Sequence, residues 1–211
     1  MIKKAIAIFV AAVTSAATGI PLPPKPPIHH APPAAWTVLP LGDSITLGVN
    51  GTNEGYRGPL RVLLPVLTFV GSQGTAPLLH EGHSGWRIDQ LQAVPIGHPT
   101  FVILHAGTND AVQNHTAAQM LADMVTLLAG IPVGVRVFVA QIPTSTWATP
   151  AQQAVEVAFD AGLPALASRW VTIVDLRLDP ADLSDGVHPN DNGYTKMAQL
   201  LAAAFPEAMV S

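Results

Sequence analysis

Trp36-Thr37-Val38-Leu39-Pro40-Leu41-Gly42-Asp43-Ser44-Ile45-Thr46-Leu47-Gly48 is the stretch on which the reading of this chain turns. Its first half is a short apolar run without polar alternation, the pattern of a strand covered on both faces. Its second half turns sharply at Gly42-Asp43-Ser44. Outward from it, four more apolar runs of the same kind stand at 67–71, 101–105, 135–140 and 171–175. Helical patterns fill the gaps. The clearest begins with the capping box Thr116-Ala117-Ala118-Gln119, carries Leu121, Met124, Val125 and Leu128 at three- and four-residue spacing, and should stop at Gly130 with Pro132 beyond. Another starts at Thr149-Pro150 and is broken or kinked by Gly162 and Pro164; a last one runs over 193–205. Five strands alternating with helices predict an α/β fold, a three-layer α/β/α sandwich around a five-stranded parallel sheet. Sites in such sheets form at the carboxyl ends of the strands. That places Ser44 after the first strand, Asn109 after the third, and Asp185 and His188 after the fifth, all on one edge.

Composition narrows the function classes. The 211 residues are 49% hydrophobic and 11% charged, which favours a filled core over disorder. A net charge of -4 gives nucleic acid and anionic membranes nothing to hold. With no cysteine there is no disulfide framework, thiol nucleophile or thiolate metal site. Lys3 and Lys4 precede an apolar run at 5–13 and small residues at 14–19, the layout of a signal peptide over 1–17. The run is too short to span a bilayer. A secreted protein without membrane attachment after cleavage is therefore expected. Residues 18–35, rich in proline from Pro21 to Pro33, read as an extended linker to a single domain over 36–211.

A serine at a strand end gains chemical meaning from Asp185-Gly186-Val187-His188-Pro189 near the other end of the chain. Serine, aspartate and histidine together can activate a hydroxyl for acyl transfer. The Gly-x-Ser-x-Gly nucleophile elbow is absent. His80, Glu81 and His83 have the look of metal ligands, but no further ligand cluster follows, so they are read as shaping a loop and no metal is expected. Asp43 and Asp110 read as structural, His105 as a hydrogen-bonded core or rim residue, and His98 and His115 as loop residues. Tyr56, Trp86 and Trp147 lie in loops, where they either stack on sugar rings or pack; Trp86 favours packing. Asn50-Gly51-Thr52 and Asn114-His115-Thr116 are sequons for N-glycosylation.

Gly42-Asp43-Ser44, Gly107-Thr108-Asn109-Asp110 and Asp185-x-x-His188, in that order, resemble the SGNH (GDSL-type) hydrolase family. Gly55-Tyr56-Arg57, Phe69-Val70-Gly71-Ser72 and above all His80-Glu81-Gly82-His83-Ser84-Gly85-Trp86 are similar to its acetyl-xylan-esterase-like branch, carbohydrate esterase family three. The resemblance implies a flavodoxin-like sheet and no cofactor. It implies Ser44 as nucleophile, His188 as general base and Asp185 as the group orienting the imidazole. Its oxyanion hole would be the Ser44 and Gly85 N–H groups and the Asn109 amide, with Gly85 a glycine so that no side chain blocks the acyl group. The function so implied is deacetylation of plant-cell-wall polysaccharide by a secreted serine esterase. Two alternatives are a lipid esterase or thioesterase, for which Leu60, Leu63 and Leu64 would speak, and a non-catalytic glycan- or nucleotide-binding module.

Overall fold

A computed structural model describes residues 36–52, 54–176 and 178–206. The signal peptide and proline-rich linker expected over 1–35 lie outside the described residues.

The strands are β1 (Trp36–Gly42), β2 (Leu67–Phe69), β3 (Glu81–Gly82), β4 (Phe101–His105), β5 (Arg136–Ala140) and β6 (Val171–Val174). The helices are α1 (Ser44–Leu47), α2 (Arg57–Leu63), α3 (Ile88–Leu91), α4 (Thr108–Val112), α5 (Ala117–Gly130), α6 (Pro150–Gly162) and α7 (Asp191–Ala204). The strands pair in the order β2-β1-β4-β5-β6, all parallel. The order reverses between β1 and β4, so their carboxyl ends open a crevice there.

Five strands were expected and a sixth is present. β3 pairs in parallel with Leu41 and Gly42 of β1, on the edge where β2 has already ended opposite Val38. β2 stops short because the chain leaves the sheet at Gly71, whose φ of 153° and whose close approach to the His80 carbonyl exclude a side chain. A two-residue strand carries no periodicity, and Glu81 and Gly82 had read as loop.

Alternate residues of each strand feed two cores. Val38, Phe101, Ile103 and Phe138 pack with Leu60 and Leu64 near α2 and with Tyr194, Met197 and Leu201 of α7. Leu39, Leu41, Val102, Leu104, Val137 and Val139 pack with Ile88 and Leu91 of α3, Met120, Met124 and Leu127 of α5, and Phe159 of α6. Each such side chain, fully buried, contributes roughly 1.5–3 kcal/mol. This makes the three layers.

The helix signals held with small shifts. Thr116 and Thr149 cap α5 and α6 through reciprocal bonds with Gln119 and Gln152. α5 is rotated from the expected face: Met120, Met124 and Leu127 are buried, whereas Val125 is exposed. α6 ends at Gly162 and tightens into a 3-10 turn over Leu163–Leu166. α7 starts two residues early, capped by the Asn190 side chain. No helix among the described residues is long and apolar enough to cross a membrane.

Candidate active site

The site begins where β1 stops. The Asp43 carboxylate accepts the Ile45 N–H at 2.9 Å, so α1 starts at once and Ser44 occupies its first position, almost buried. From the far end of the chain, Asp185 folds its own turn: Oδ1 accepts the N–H groups of Val187 at 3.0 Å and His188 at 2.8 Å. Gly186 accepts the Thr146 N–H at 2.8 Å, which ties this turn to the loop before α6.

The two segments meet. Ser44 Oγ lies 2.9 Å from His188 Nε2, and His188 Nδ1 lies 2.8 Å from Asp185 Oδ2. With Nδ1–H donated to the carboxylate, Nε2 is the acceptor for the Ser44 hydroxyl. Desolvation pushes the Asp185 carboxyl up, but the His188 N–H, its imidazole and the Val187 N–H outweigh this and hold it well below the usual carboxylate range. It is therefore a fixed negative charge beside the ring.

Ser44, Asp185, His188 and Asn109 line a cavity of about 370 Å³ with Ile45, Val112, Val187 and Trp147. Trp147 is 65% exposed at this cavity. A larger hollow of about 570 Å³, lined by Thr37, Glu81 and His98 among others, contains none of the first four. Asn109 Nδ2 donates to the Trp86 carbonyl at 3.0 Å and, at the long limit, to Asp43 Oδ2 at 3.4 Å. These contacts aim the amide, and the weaker of them can yield to an oxyanion.

Gly85 stands beside Trp86 with φ of 80°, and a Cβ there would meet nothing within 4 Å. The left-handed backbone at this position by itself favours glycine. Gly85 and Trp86 are not among the cavity-lining residues.

The loop carrying them is held as the sequence suggested. His80 Nδ1 accepts the Gly82 N–H at 2.9 Å, Glu81 accepts the Ser72 N–H and lies 3.1 Å from His83 Nε2, and the His83 N–H reaches the Gly42 carbonyl at 2.8 Å. His83 stacks on Trp86 with ring centroids 4.0 Å apart. The described ligating groups that cluster at metal-like spacing are instead Asp110, His115 and Asp123, whose ligand atoms lie within 4.8 Å of one another. Asp110 already accepts the Ile88 N–H, and burial pushes its carboxyl up to about 6.

Two expectations are corrected. Tyr56 is fully buried with its hydroxyl on Thr46 at 3.4 Å, and burial pushes it up to about 12; it packs and faces no ligand. The neighbouring Arg57, also buried, bonds the Thr46 and Leu78 carbonyls and Glu54, bracing α1 from behind. His105 is in the core, but neither ring nitrogen has a hydrogen-bond partner and its nearest carboxylate, Asp43, is 4.0 Å away. Burial lowers His105 to about 4, so the ring is neutral. One residue was missed: Asn50, read as part of a sequon, donates to Asp185 Oδ2 at 2.9 Å. Its local motif gave no sign of a partner 135 residues away.

Fold, crevice and hydrogen-bonded serine now stand beside known proteins. A family 3 carbohydrate esterase from Clostridium thermocellum superposes with a TM-score of 0.66 at 32% identity, over 80% of this chain and 94% of that one. A carbohydrate esterase family 3 protein from Talaromyces cellulolyticus gives a TM-score of 0.66 at 24% identity, over 79% and 94%, a likeness that bears on the fold. A multidomain esterase of Ruminococcus flavefaciens is 27% identical over 94% of this chain; the chain spans about a third (32%) of that relative's length. The class so defined is that of carboxylic ester hydrolases on a parallel α/β/α sandwich. The chain belongs to the GDSL-like lipase/acylhydrolase family, whose model matches residues 41–196.

Proposed function

We propose that this esterase is secreted and removes acetyl groups from plant-cell-wall polysaccharide, acetylated xylan first, through an acetyl-enzyme on Ser44. The observation that carries this reading is the unbroken line Ser44–His188–Asp185 beside a cavity with an exposed tryptophan, Trp147. Ser44 Oγ attacks the acetyl carbonyl carbon while His188 Nε2 takes its proton. The tetrahedral intermediate collapses, the bond to the sugar oxygen breaks, and His188 returns the proton to that oxygen. Water then attacks the acetyl-enzyme by the same route, releasing acetate and restoring Ser44. Asp185 orients the ring and offsets the charge of the imidazolium. The Ser44 N–H and the Asn109 amide, both from residues lining the cavity, serve the oxyanion, with the Gly85 N–H as a third donor from beside it, each such donor contributing roughly 3 kcal/mol.

Support for a sugar-bound ester comes from Trp147, a flat apolar surface on which a pyranose ring can lie, and from the Clostridium thermocellum carbohydrate esterase at 32% identity. Of the three leucines that would speak for a lipid substrate, Leu60 and Leu64 are buried in the core; Leu63 is exposed but does not line the Ser44 cavity. Trp86 packs against the second core, which leaves Trp147 as the proposed sugar platform. The basic, apolar and small-residue succession over 1–19 supports export.

The test is acetate release from acetylated xylan, set against acetylated pectin and acetylated chitin oligomers. Xylan should be the preferred polymer. Ser44→Ala should abolish release while circular dichroism stays unchanged, and substantial turnover in that variant would overturn the assignment of Ser44. Release from pectin or chitin alone would overturn the substrate and leave Ser44 standing.

A further inference from the structure

We infer that Asn50 is a positioning residue of the esterase reaction: its amide holds the Asp185 carboxylate in register with His188. The inference rests on the roles proposed above for Ser44, Asp185 and His188.

Asn50 Nδ2 donates to Asp185 Oδ2 at 2.9 Å and to Ser184 Oγ at 2.9 Å. Asp185 Oδ2 is the same oxygen that meets His188 Nδ1 at 2.8 Å. The other carboxylate oxygen is filled by the N–H groups of Val187 and His188. Those two bonds are local to the turn and fix the carboxylate only to its own loop. The Asn50 bond is the one that crosses to the loop following Ser44. Ser184 extends the link, since its Oγ donates to the His188 carbonyl at 3.1 Å while accepting from Asn50.

The backbone is set for this. Asn50 has φ of 64°, a left-handed conformation that asparagine tolerates better than most residues. Its neighbours anchor on either side: the Val49 carbonyl accepts the Tyr194 hydroxyl at 2.7 Å, and Thr52 gives both its N–H, at 2.8 Å, and its hydroxyl, at 2.7 Å, to Asp191. Segment 49–52 is thereby a strap from the nucleophile's loop to the start of α7, with the Asn50 amide reaching in toward the site. The same contacts engage both polar side chains of the Asn50-Gly51-Thr52 sequon, which gives the motif a structural role.

The experiment compares Asn50→Gly, Asn50→Ala and Asn50→Asp on a small aryl acetate, with active sites counted by organophosphate labelling of Ser44. Glycine keeps the left-handed backbone and removes the amide. Aspartate keeps shape and backbone and turns the donor into a carboxylate opposite Asp185. Per labelled site, kcat should fall about tenfold in Asn50→Gly and about a hundredfold in Asn50→Asp, with KM within twofold of the parent. The charged groups facing His188 are Asp185 and, through the α1 cap, Asp43. A third carboxylate should move the acid limb of kcat/KM upward by about one pH unit in Asn50→Asp alone. A merely structural role would lower the labelled fraction or the unfolding midpoint and leave that limb in place. Parent-like kcat in Asn50→Gly, with loss only in Asn50→Ala, assigns the residue to backbone strain and overturns the inference. Turnover by Ser44→Ala instead defeats the underlying reading, so the two failures are distinguishable.

Discussion

At the scale of single residues, the floor of the site is a buried carboxyl under a reactive hydroxyl. Asp43 is completely buried; desolvation, offset in part by the Ile45 N–H and by His188, raises it from the ordinary 3.8 to about 7. A carboxyl whose folded pKa exceeds its unfolded one binds its proton more tightly when folded. The stability it confers is full below about pH 4 and is lost as pH rises through about 7. Asp43→Asn keeps an acceptor for Ile45 and removes the titration. Its stability relative to the parent should therefore improve by about 1 kcal/mol or more between pH 4 and pH 8. Urea unfolding at the two values measures it, and a pH-independent difference would show that Asp43 does not titrate in this range. Ser44 and the Asp185-x-x-His188 pair were legible at this scale because their residue types and order carry the chemistry. Tyr56 was misread and Asn50 missed, because a side chain's burial and long-range partner are absent from its neighbours in sequence.

At the scale of elements, the capping boxes show how much of the scaffold is local. Thr116 and Thr149 each exchange bonds with a glutamine three residues on, and those boundaries could be read directly. Thr116→Ala should cost about 1 kcal/mol in urea unfolding and leave kcat unchanged, since α5 contributes no group to the cavity. A fall in kcat larger than the change in stability would mean that α5 positions the site. Gly85 belongs to the same scale, because its left-handed turn sets the loop whose Trp86 carbonyl holds Asn109. Gly85→Ala meets no atom, so its cost of about 1–2 kcal/mol is backbone strain, and kcat should drop with the displaced amide. The strand β3 escaped the sequence because two residues show no period; it forms where β2 ends and leaves part of the β1 edge to be paired.

At the scale of the whole molecule, the reversal of strand order between β1 and β4 gathers side chains from opposite ends of the chain. His188 can take the Ser44 proton only when its Nε2 is unprotonated, so kcat/KM should fall on acidification while the fold persists. Activity that persists at a pH where NMR shows the His188 ring protonated would exclude it as the base. Ile45, Val112 and Val187 line the cavity of about 370 Å³, and on the proposed reading it should turn over acetyl esters ahead of long chains. A series of ester chain lengths tests this, and preference for eight carbons or more would favour a lipid substrate.

By itself the sequence determined the layering, the helix caps and the kind of chemistry. Strand burial, helix periodicity and capping act over a few residues, and Ser44, Asn109, Asp185 and His188 stand at strand ends that the parallel topology must bring to one edge. Only the tertiary structure decided that the Ser44 hydroxyl meets the ring at 2.9 Å, that Tyr56 is core while Trp147 is exposed at the cavity, and that Asn50 serves Asp185. The first and last of those outcomes are contacts between residues more than a hundred positions apart, and in all of them packing of the assembled sheet and helices, not local preference, sets which groups touch.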